Sequence, residues 1–319
     1  MTFRVSVLVP SYRRPESLTR CLAALHAQTR APDEVIVGVR EGDAATIAAA
    51  EASRLAGLPV RIAATSANGV VASMQAALDA ASGDIIALTD DDARPFEHWI
   101  AGLLAHFDAS PDIGGVGGRD WQPYERGNVT RVGIVQWFGR VIGNHHLGAG
   151  PARDVDVLKG ANCSFRAPLL HAVGFDGRLL GEGAQMYWEL GVCLPLRRAG
   201  WRLIYDPAVA VHHDVAPRHN DDNLHRGVFS EPPLTNAVHN ETVELLEGRG
   251  PISRALYLTW AMLVGTKEGP GLVQHLRRVI HGDATAVGRW RASRAGRWSG
   301  AATARRSPRH LSVPPPIGR

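Results

Sequence analysis

The chain has 319 residues, with 35 basic against 31 acidic side chains and a formal net charge of +4. Residues 250–319 hold 12 basic side chains against two acids, Glu268 and Asp283, or about +10, whereas residues 1–249 hold 23 against 29, or −6. A slightly acidic body therefore carries a basic tail. No run of about 18 apolar residues occurs, which excludes a membrane-spanning helix. Val5–Val9 is followed at once by Pro10 and is too short for a signal-peptide core. The three cysteines, Cys21, Cys163 and Cys193, are odd in number and lack metal-like spacing, which argues against a disulfide framework and for the cytoplasm.

The first 120 residues alternate strands and helices. Val5–Val9 (VSVLV) is a continuous apolar run, as in a strand buried on both faces. Pro15 suits a first helical position, and Leu18, Cys21, Leu22 and Leu25 recur at helical spacing. Glu34–Val39, Val60–Ala63 and Asp84–Thr89 read as further strands, separated by helices over Ala44–Leu55 and Val70–Ala81. This order predicts an α/β fold, a Rossmann-like and mostly parallel central sheet with flanking helices. Ligands bind such sheets at the carboxyl ends of the strands.

Beyond Ile113 the pattern loosens. Val116–Gly118, Val132–Trp137, Leu203–Tyr205 and Ala208–His212 read as strands, and Ala184–Arg198 as a helix that Pro195 should kink. Ala216–Pro233 is polar and without period. Ser253–Val264 and Leu272–His281 form a C-terminal helical extension. After Arg291 the Arg/Ser/Ala/Gly-rich chain, ending in three prolines, is expected to be disordered. The expected division is residues 1–218 as one domain of two halves (1–120 and 121–218), 219–288 as the extension and 289–319 as a basic tail.

Asp90-Asp91-Asp92 follows an apolar strand. Adjacent carboxylates repel one another unless a cation relieves them, and Mg2+ is commonly held by one or two carboxylates plus substrate phosphates. An acidic helix start before Pro95 is the plainer alternative. Other distinctive segments are Lys159–Arg166 (KGANCSFR), Val173–Asp176 (VGFD) and Trp188-Glu189-Leu190, followed by LRRAGWRLIYDPAVAVHH to His213.

With VSVLVPSYRRPESL at the start and GVVASMQAALDAASGDIIALTDDD in the middle, these segments resemble the family 2 glycosyltransferases of the GT-A fold, in order and over residues 3–218. The resemblance implies inverting transfer from a nucleotide-diphospho-sugar with Mg2+ or Mn2+, residues 1–120 forming the nucleotide-binding half and 121–218 the acceptor and catalytic half. Within its DXD motif, Asp90 would lie near the ribose and Asp92 would hold the metal, with Asp91 between them sharing either duty. Pro10, Ser11 and Tyr12 would border the nucleotide, and Gly160 and Asn162 would line the donor sugar. Glu189 matches the acid that serves as general base, and His213 a metal-completing histidine. Trp188 stands where a first acid is usual. Gly191 and Pro195 also depart from the pattern. Val39 and Arg40 replace nucleobase-contacting aspartates, leaving Arg40 at the nucleotide with Glu41 and Asp43 as substitutes. Met74 and Gln75 replace an Arg-Asn pair.

His145, His146 and Lys159 are further candidates for phosphate or acceptor contact. Trp121, Trp137 and Trp188 could stack on sugar or simply pack. The Arg-rich, Trp-bearing tail reads as an anchor to anionic membrane or as helices docked on the body; nucleic acid is disfavoured, since the body carries no such motif. The expected role is an enzyme of cell-surface polysaccharide or glycolipid synthesis, acting on a glycan, lipid-linked or small-molecule acceptor at the inner face of the membrane. The alternative is a non-catalytic nucleotide-sugar-binding partner of another transferase. A nucleotidyltransferase is disfavoured because Pro10–Arg14 is not a glycine-rich phosphate loop.

Overall fold

The structure, a computed structural model, describes residues 3–214 and 229–316. In chain order the first half comprises β1 (Val5–Ser11), α1 (Pro15–His26), β2 (Glu34–Arg40), α2 (Ala44–Leu55), β3 (Val60–Thr65), α3 (Val70–Ala80), β4 (Ile85–Leu88), β5 (Ala93–Pro95), α4 (Trp99–Ala109) and β6 (Ile113–Trp121). The rest comprises β7 (Ile134–Val135), β8 (Val141–Ile142), β9 (Arg153–Asp154), β10 (Cys163–Arg166), α5 (Ala167–Val173), α6 (Trp188–Arg198), β11 (Arg202–His213), α7 (Glu231–Leu246), α8 (Pro251–Leu263), α9 (Leu272–Ile280) and α10 (Ala286–Arg306).

One large sheet has the order β3-β2-β1-β4-β10-β6-β11-β5, and β9 also pairs with β11. The four-strand run β3-β2-β1-β4 is parallel, as its alternation with helices predicts. β10 runs antiparallel between β4 and β6, and β6 is parallel to β11. Successive strand residues point to opposite faces, so the sheet separates two cores. One gathers Val7, Leu18, Val35 and Trp99; the other gathers Leu8, Ile36, Met74 and Phe165. This is why VSVLV carries no polar alternation. After Asp92 the chain turns into β5 and pairs antiparallel with β11, which sets Ala93 opposite His213. The Asp214 amide donates to the Asp92 carbonyl at 2.9 Å. Backbone pairing alone thus brings His213 beside the triple aspartate.

Several expected boundaries shift. Leu203–Tyr205 and Ala208–His212 belong to one strand, β11, whose register with β6 slips between Asp206 and Val211. Of Val132–Trp137, Ile134 and Val135 pair with β8 in a small hairpin. The helix expected from Ala184 starts at Trp188, because Gln185 (φ 39°) and Tyr187 (φ 72°) are left-handed and end any α-helical run. Pro195 does not break α6. It leaves the Gly191 carbonyl without its helical donor, and that oxygen accepts instead from Arg309 Nη1 at 3.2 Å.

The C-terminal third departs furthest from expectation. The stretch expected to be disordered from residue 289 forms most of the 21-residue α10. Apart from Arg297, its buried face is Ala286, Ala292, Ser293, Gly296, Gly300 and Ala304, residues without long side chains. A Cβ on Gly296 would stand 2.6 Å from the Thr235 carbonyl, and one on Gly300 2.6 Å from that of His239, so α10 lies almost backbone to backbone on α7. α7 falls partly in a stretch with no apolar period. Its polar residues are buried by partners: Asn240 pairs with the Leu180 backbone, and Glu241 with Arg297 at 2.6 Å. Leu245, Tyr257 and Ala304 share the core with Phe165 and Trp188, so α7, α8 and α10 pack as part of the body. The expected boundary near 218 lies outside the described residues.

Arg297 is 1% exposed and also donates to the Thr242 and Tyr257 hydroxyls. Removing one member of a buried ion pair leaves a charge without compensation. Arg297→Met should cost about 3–5 kcal/mol in urea unfolding, and adding Glu241→Leu should recover most of it. A loss below about 1 kcal/mol for the single change would show that the pair does not hold α10 in place.

Candidate active site

A cavity of about 590 Å3 opens at the carboxyl ends of β1 and β4. That volume falls within the range of small-ligand sites. Pro10, Ser11, Tyr12, Arg40, Asp90, Asp92, Gly160, Glu189 and His213 all line it. Asp90, Asp92 and His213 each offer a ligand atom, and these atoms lie within 4.8 Å of one another. Two carboxylates and an imidazole suit a divalent cation that keeps further positions for phosphate oxygens.

The charges around this cluster alternate. Arg14, from the turn after β1, reaches Asp91 at 2.8 Å and Asp92 at 3.0 Å. His213 Nε2 lies 3.4 Å from Asp92, and Nδ1 lies 3.3 Å from Asp120 at the end of β6. Lys159 pairs with the same Asp120 carboxylate. Burial pushes the Asp120 carboxyl up, but Lys159 and His213 outweigh it and hold the group well below the usual carboxylate range. Burial opposes the charge on His213, yet its bonds to Asp120 and Asp92 push it up to about 9. A carboxylate behind one ring nitrogen fixes the orientation of the other, so Asp120 directs Nε2 at Asp92. Arg14 and Asp120 were not singled out by the sequence. Their roles depend on pairing across elements, and the one visible signal was a charged residue at each strand end.

Two expected site residues are placed elsewhere. Asp91 is fully buried beneath the cavity, where its carboxylate accepts from the Ser11 hydroxyl at 2.7 Å and pairs with Arg14. Asn162 is 1% exposed; Trp99 Nε1 donates to it at 2.8 Å, and its amide donates to the Arg119 and Val209 carbonyls. A side chain so saturated fastens β6, α4 and β11 together and is not part of the cavity wall.

Glu189 lies in the first turn of α6 and accepts from the Gly160 amide at 3.0 Å. Burial pushes its carboxyl up, against the pull of that amide and of its own backbone N–H. The indole of Trp188, the aromatic in the usual place of an acid, packs beneath Gly160 and edge-on to Phe175 and also lines the cavity. Tyr187, left-handed just before α6, also lines the cavity. Such strain persists where the surroundings enforce it.

At the opposite wall, Arg40 lies over the Tyr12 ring at 5.4 Å, leaving a cationic, aromatic rim. Asp43 is committed as the cap of α2 and takes the Arg13 amide. Met74 is core, and Gln75 ties Phe175 to α3. His145 lines the cavity but is bonded to the Val157 carbonyl at 2.9 Å, and burial lowers it to about 4, so it is neutral. Trp121 and Trp137 are absent from the cavity wall.

The family model described as glycosyl transferase family 2 matches residues 6–168. Among curated relatives, a glucosyl-dolichyl phosphate glucuronosyltransferase of Haloferax volcanii is 28% identical over 46% of this chain and 48% of its own. A pre-mycofactocin glycosyltransferase of Mycobacterium tuberculosis is 24% identical over 63% of this chain and 41% of its own. The chain thus spans less than half the length of these relatives. Two solved structures share the fold. One is the Pyrobaculum calidifontis mannosyltransferase PcManGT with GDP-Man and Mn2+, at TM-score 0.56 and 18% identity over 96% of this chain and 88% of that one. The other is S. aureus TarS 1–349 with UDP-GlcNAc, at TM-score 0.56 and 14% identity over 96% and 93%. The architecture is therefore GT-A, with a C-terminal helical region.

The Gly160 contact is tight enough to test. A Cβ there would meet the Trp188 ring at 2.5 Å and Glu189 Oε1 at 3.2 Å. Gly160→Ala should cost about 1–3 kcal/mol through overpacking and displace Glu189. Unchanged unfolding in urea would show that the ring yields freely.

Proposed function

This chain belongs to glycosyl transferase family 2, and on that premise we propose that it transfers a sugar, with inversion, from a nucleotide-diphospho-sugar to an acceptor hydroxyl. The observation that carries the proposal is one cavity lined both by the Asp90–Asp92–His213 cluster and, on α6, by the enclosed carboxylate of Glu189. Metal holding and proton removal have separate groups there.

In the proposed reaction the acceptor oxygen forms a bond to the anomeric carbon as the bond to the diphosphate oxygen breaks. Glu189 takes the acceptor proton, and the nucleoside diphosphate leaves with the bonding electron pair. Mg2+ or Mn2+ bound by Asp90, Asp92 and His213 would supply neutralisation of the charge on the leaving diphosphate. Arg14 and Asp120 are positioning residues, holding Asp92 and His213 toward the cavity. Tyr12 with Arg40 offers a flat, cationic surface for the nucleobase. Trp188 leaves Glu189 at the cavity wall, which supports turnover over a purely binding role. A hydroxyl on a lipid-linked or surface glycan is the acceptor class we favour. The Haloferax relative, whose acceptor is a glucosyl-dolichyl phosphate, supports it.

Asp92→Asn should abolish transfer and the Mn2+-dependent part of the thermal stabilisation by donor, since a ligand that binds only the folded state raises its stability. Full activity in that variant would end the metal assignment. Glu189→Gln should lower kcat by about 100- to 10,000-fold while donor stabilisation persists. The base acts deprotonated and its pKa is raised, so activity in the wild type should climb with pH along a limb above the usual carboxylate range. That limb should be missing from the residual activity of Glu189→Gln. A variant that keeps both rate and limb would require another base.

A further inference from the structure

α9 is built inside out. Its apolar residues Leu272, Val273, Leu276, Val279 and Ile280 fall within about 120° of the helix circumference at 100° per residue, and none of them is buried; they are 44–81% exposed. Its polar residues His275 and Arg278 turn toward the protein instead, while Arg277 is exposed. His275 stacks on Trp290 at 4.9 Å and bonds to the Ala286 carbonyl, while Arg278 binds Asp283 and the Lys267 carbonyl. A helix folding only onto its own body would turn the other way. On the preceding, contacting α8, Ile252, Leu256 and Leu263 form a second outward stripe and are 44–77% exposed. Contiguous exposed apolar surface of this kind marks an interaction site. No helix among the described residues is long and apolar enough to cross a membrane.

Charge selects the occupant. Residues 250–319 hold 12 basic side chains against two acids. Arg294 lies over Trp290, which stacks on His275 of α9, so the basic residues of α10 lie beside that helix. Arg291, Arg294 and Trp298 share one outward face of α10, and Trp298 is 67% exposed. A second copy would bring like charges together, which opposes association. Outward apolar residues with arginine and tryptophan around them match the interface of a bilayer carrying anionic headgroups.

We propose that the outward faces of α8 and α9, flanked by the basic face of α10, dock on an anionic lipid bilayer. The surface is thus a folded one, in contrast to the loose tail expected as an anchor. It also adjoins the reaction cavity through one hairpin. Phe138 packs on Trp260 of α8 at 5.1 Å, Gly139 lies against Tyr257, and Trp137 beside them is 74% exposed. Val141 and Gly143 of the same hairpin line the cavity. On the transfer reading, on which this last step rests, docking brings the acceptor side of the cavity to the membrane surface.

The test is cosedimentation of the full chain with vesicles of phosphatidylcholine alone or mixed with phosphatidylglycerol, which reads docking without any sugar transfer. The wild type should bind the mixed vesicles, and less so in high salt. Val273→Glu with Leu276→Glu, and separately Arg291→Glu with Arg294→Glu, should each lower the partition by about tenfold or more. All four side chains are exposed, so melting temperature and donor stabilisation should stay at wild-type values. The proposal is overturned if the wild type remains in the supernatant or the α9 variant sediments like the wild type. It is also overturned if the wild type is a dimer that the α9 variant splits, since a second copy would then own the face.

Discussion

Six charged groups in alternation organise the centre of this molecule. Arg14 faces Asp91 and Asp92, Asp92 faces His213, His213 faces Asp120, and Asp120 faces Lys159. Each buried charge would be costly alone and is tolerable because the next compensates it. The groups come from the ends of β1, β4, β6 and β11 and from the segment before β10. The array therefore reports whether the whole sheet has its register. A slip of one residue in β11 would turn His213 to the other face and expose three carboxylates to one another.

The same logic holds the C-terminal helices. Small residues let α10 lie against α7, and Arg297 supplies the charge that Glu241 needs. Arg178 links Asp176 to Glu247 at 2.6 and 2.8 Å, and the Arg309 amide also meets Glu247, so the last described segment is fastened across α5 and α6. Beneath them Gly191 leaves room for the buried Glu244 carboxyl, which desolvation and Asp176 raise well above its ordinary range. The helix that carries Glu189 is thus backed by a layer formed far along the chain.

What could be read from the sequence follows from how local the determinants were. VSVLV and the strand before Asp90 carry their burial in their composition, so the parallel sheet and the cavity end were legible. Glu189, Asp92 and His213 were reached through motif resemblance. Asn162 belonged to the same motifs but proved to be a buried fastener, because a motif preserves position without separating contact from support. Arg14 and Asp120 have meaning only in pairs. α10 was misread because its buried face is made of Gly, Ala and Ser with one paired arginine, Arg297, which hydropathy does not score as core. For α9 the periodicity was plain, but no periodicity says which way a face points.

Pro195 gives the molecule a timetable. It deprives the Gly191 carbonyl of its own helix's donor, and the donor that replaces it, Arg309, is synthesised 118 residues later. At about 5–20 residues per second, a nascent chain that has reached Gly191 must wait about 6–24 seconds before that donor exists. During the interval α6 carries an exposed polar gap on the face that later receives the C-terminal arm. Translation order therefore keeps the carboxylate-bearing helix incomplete until the C-terminal arm has been made.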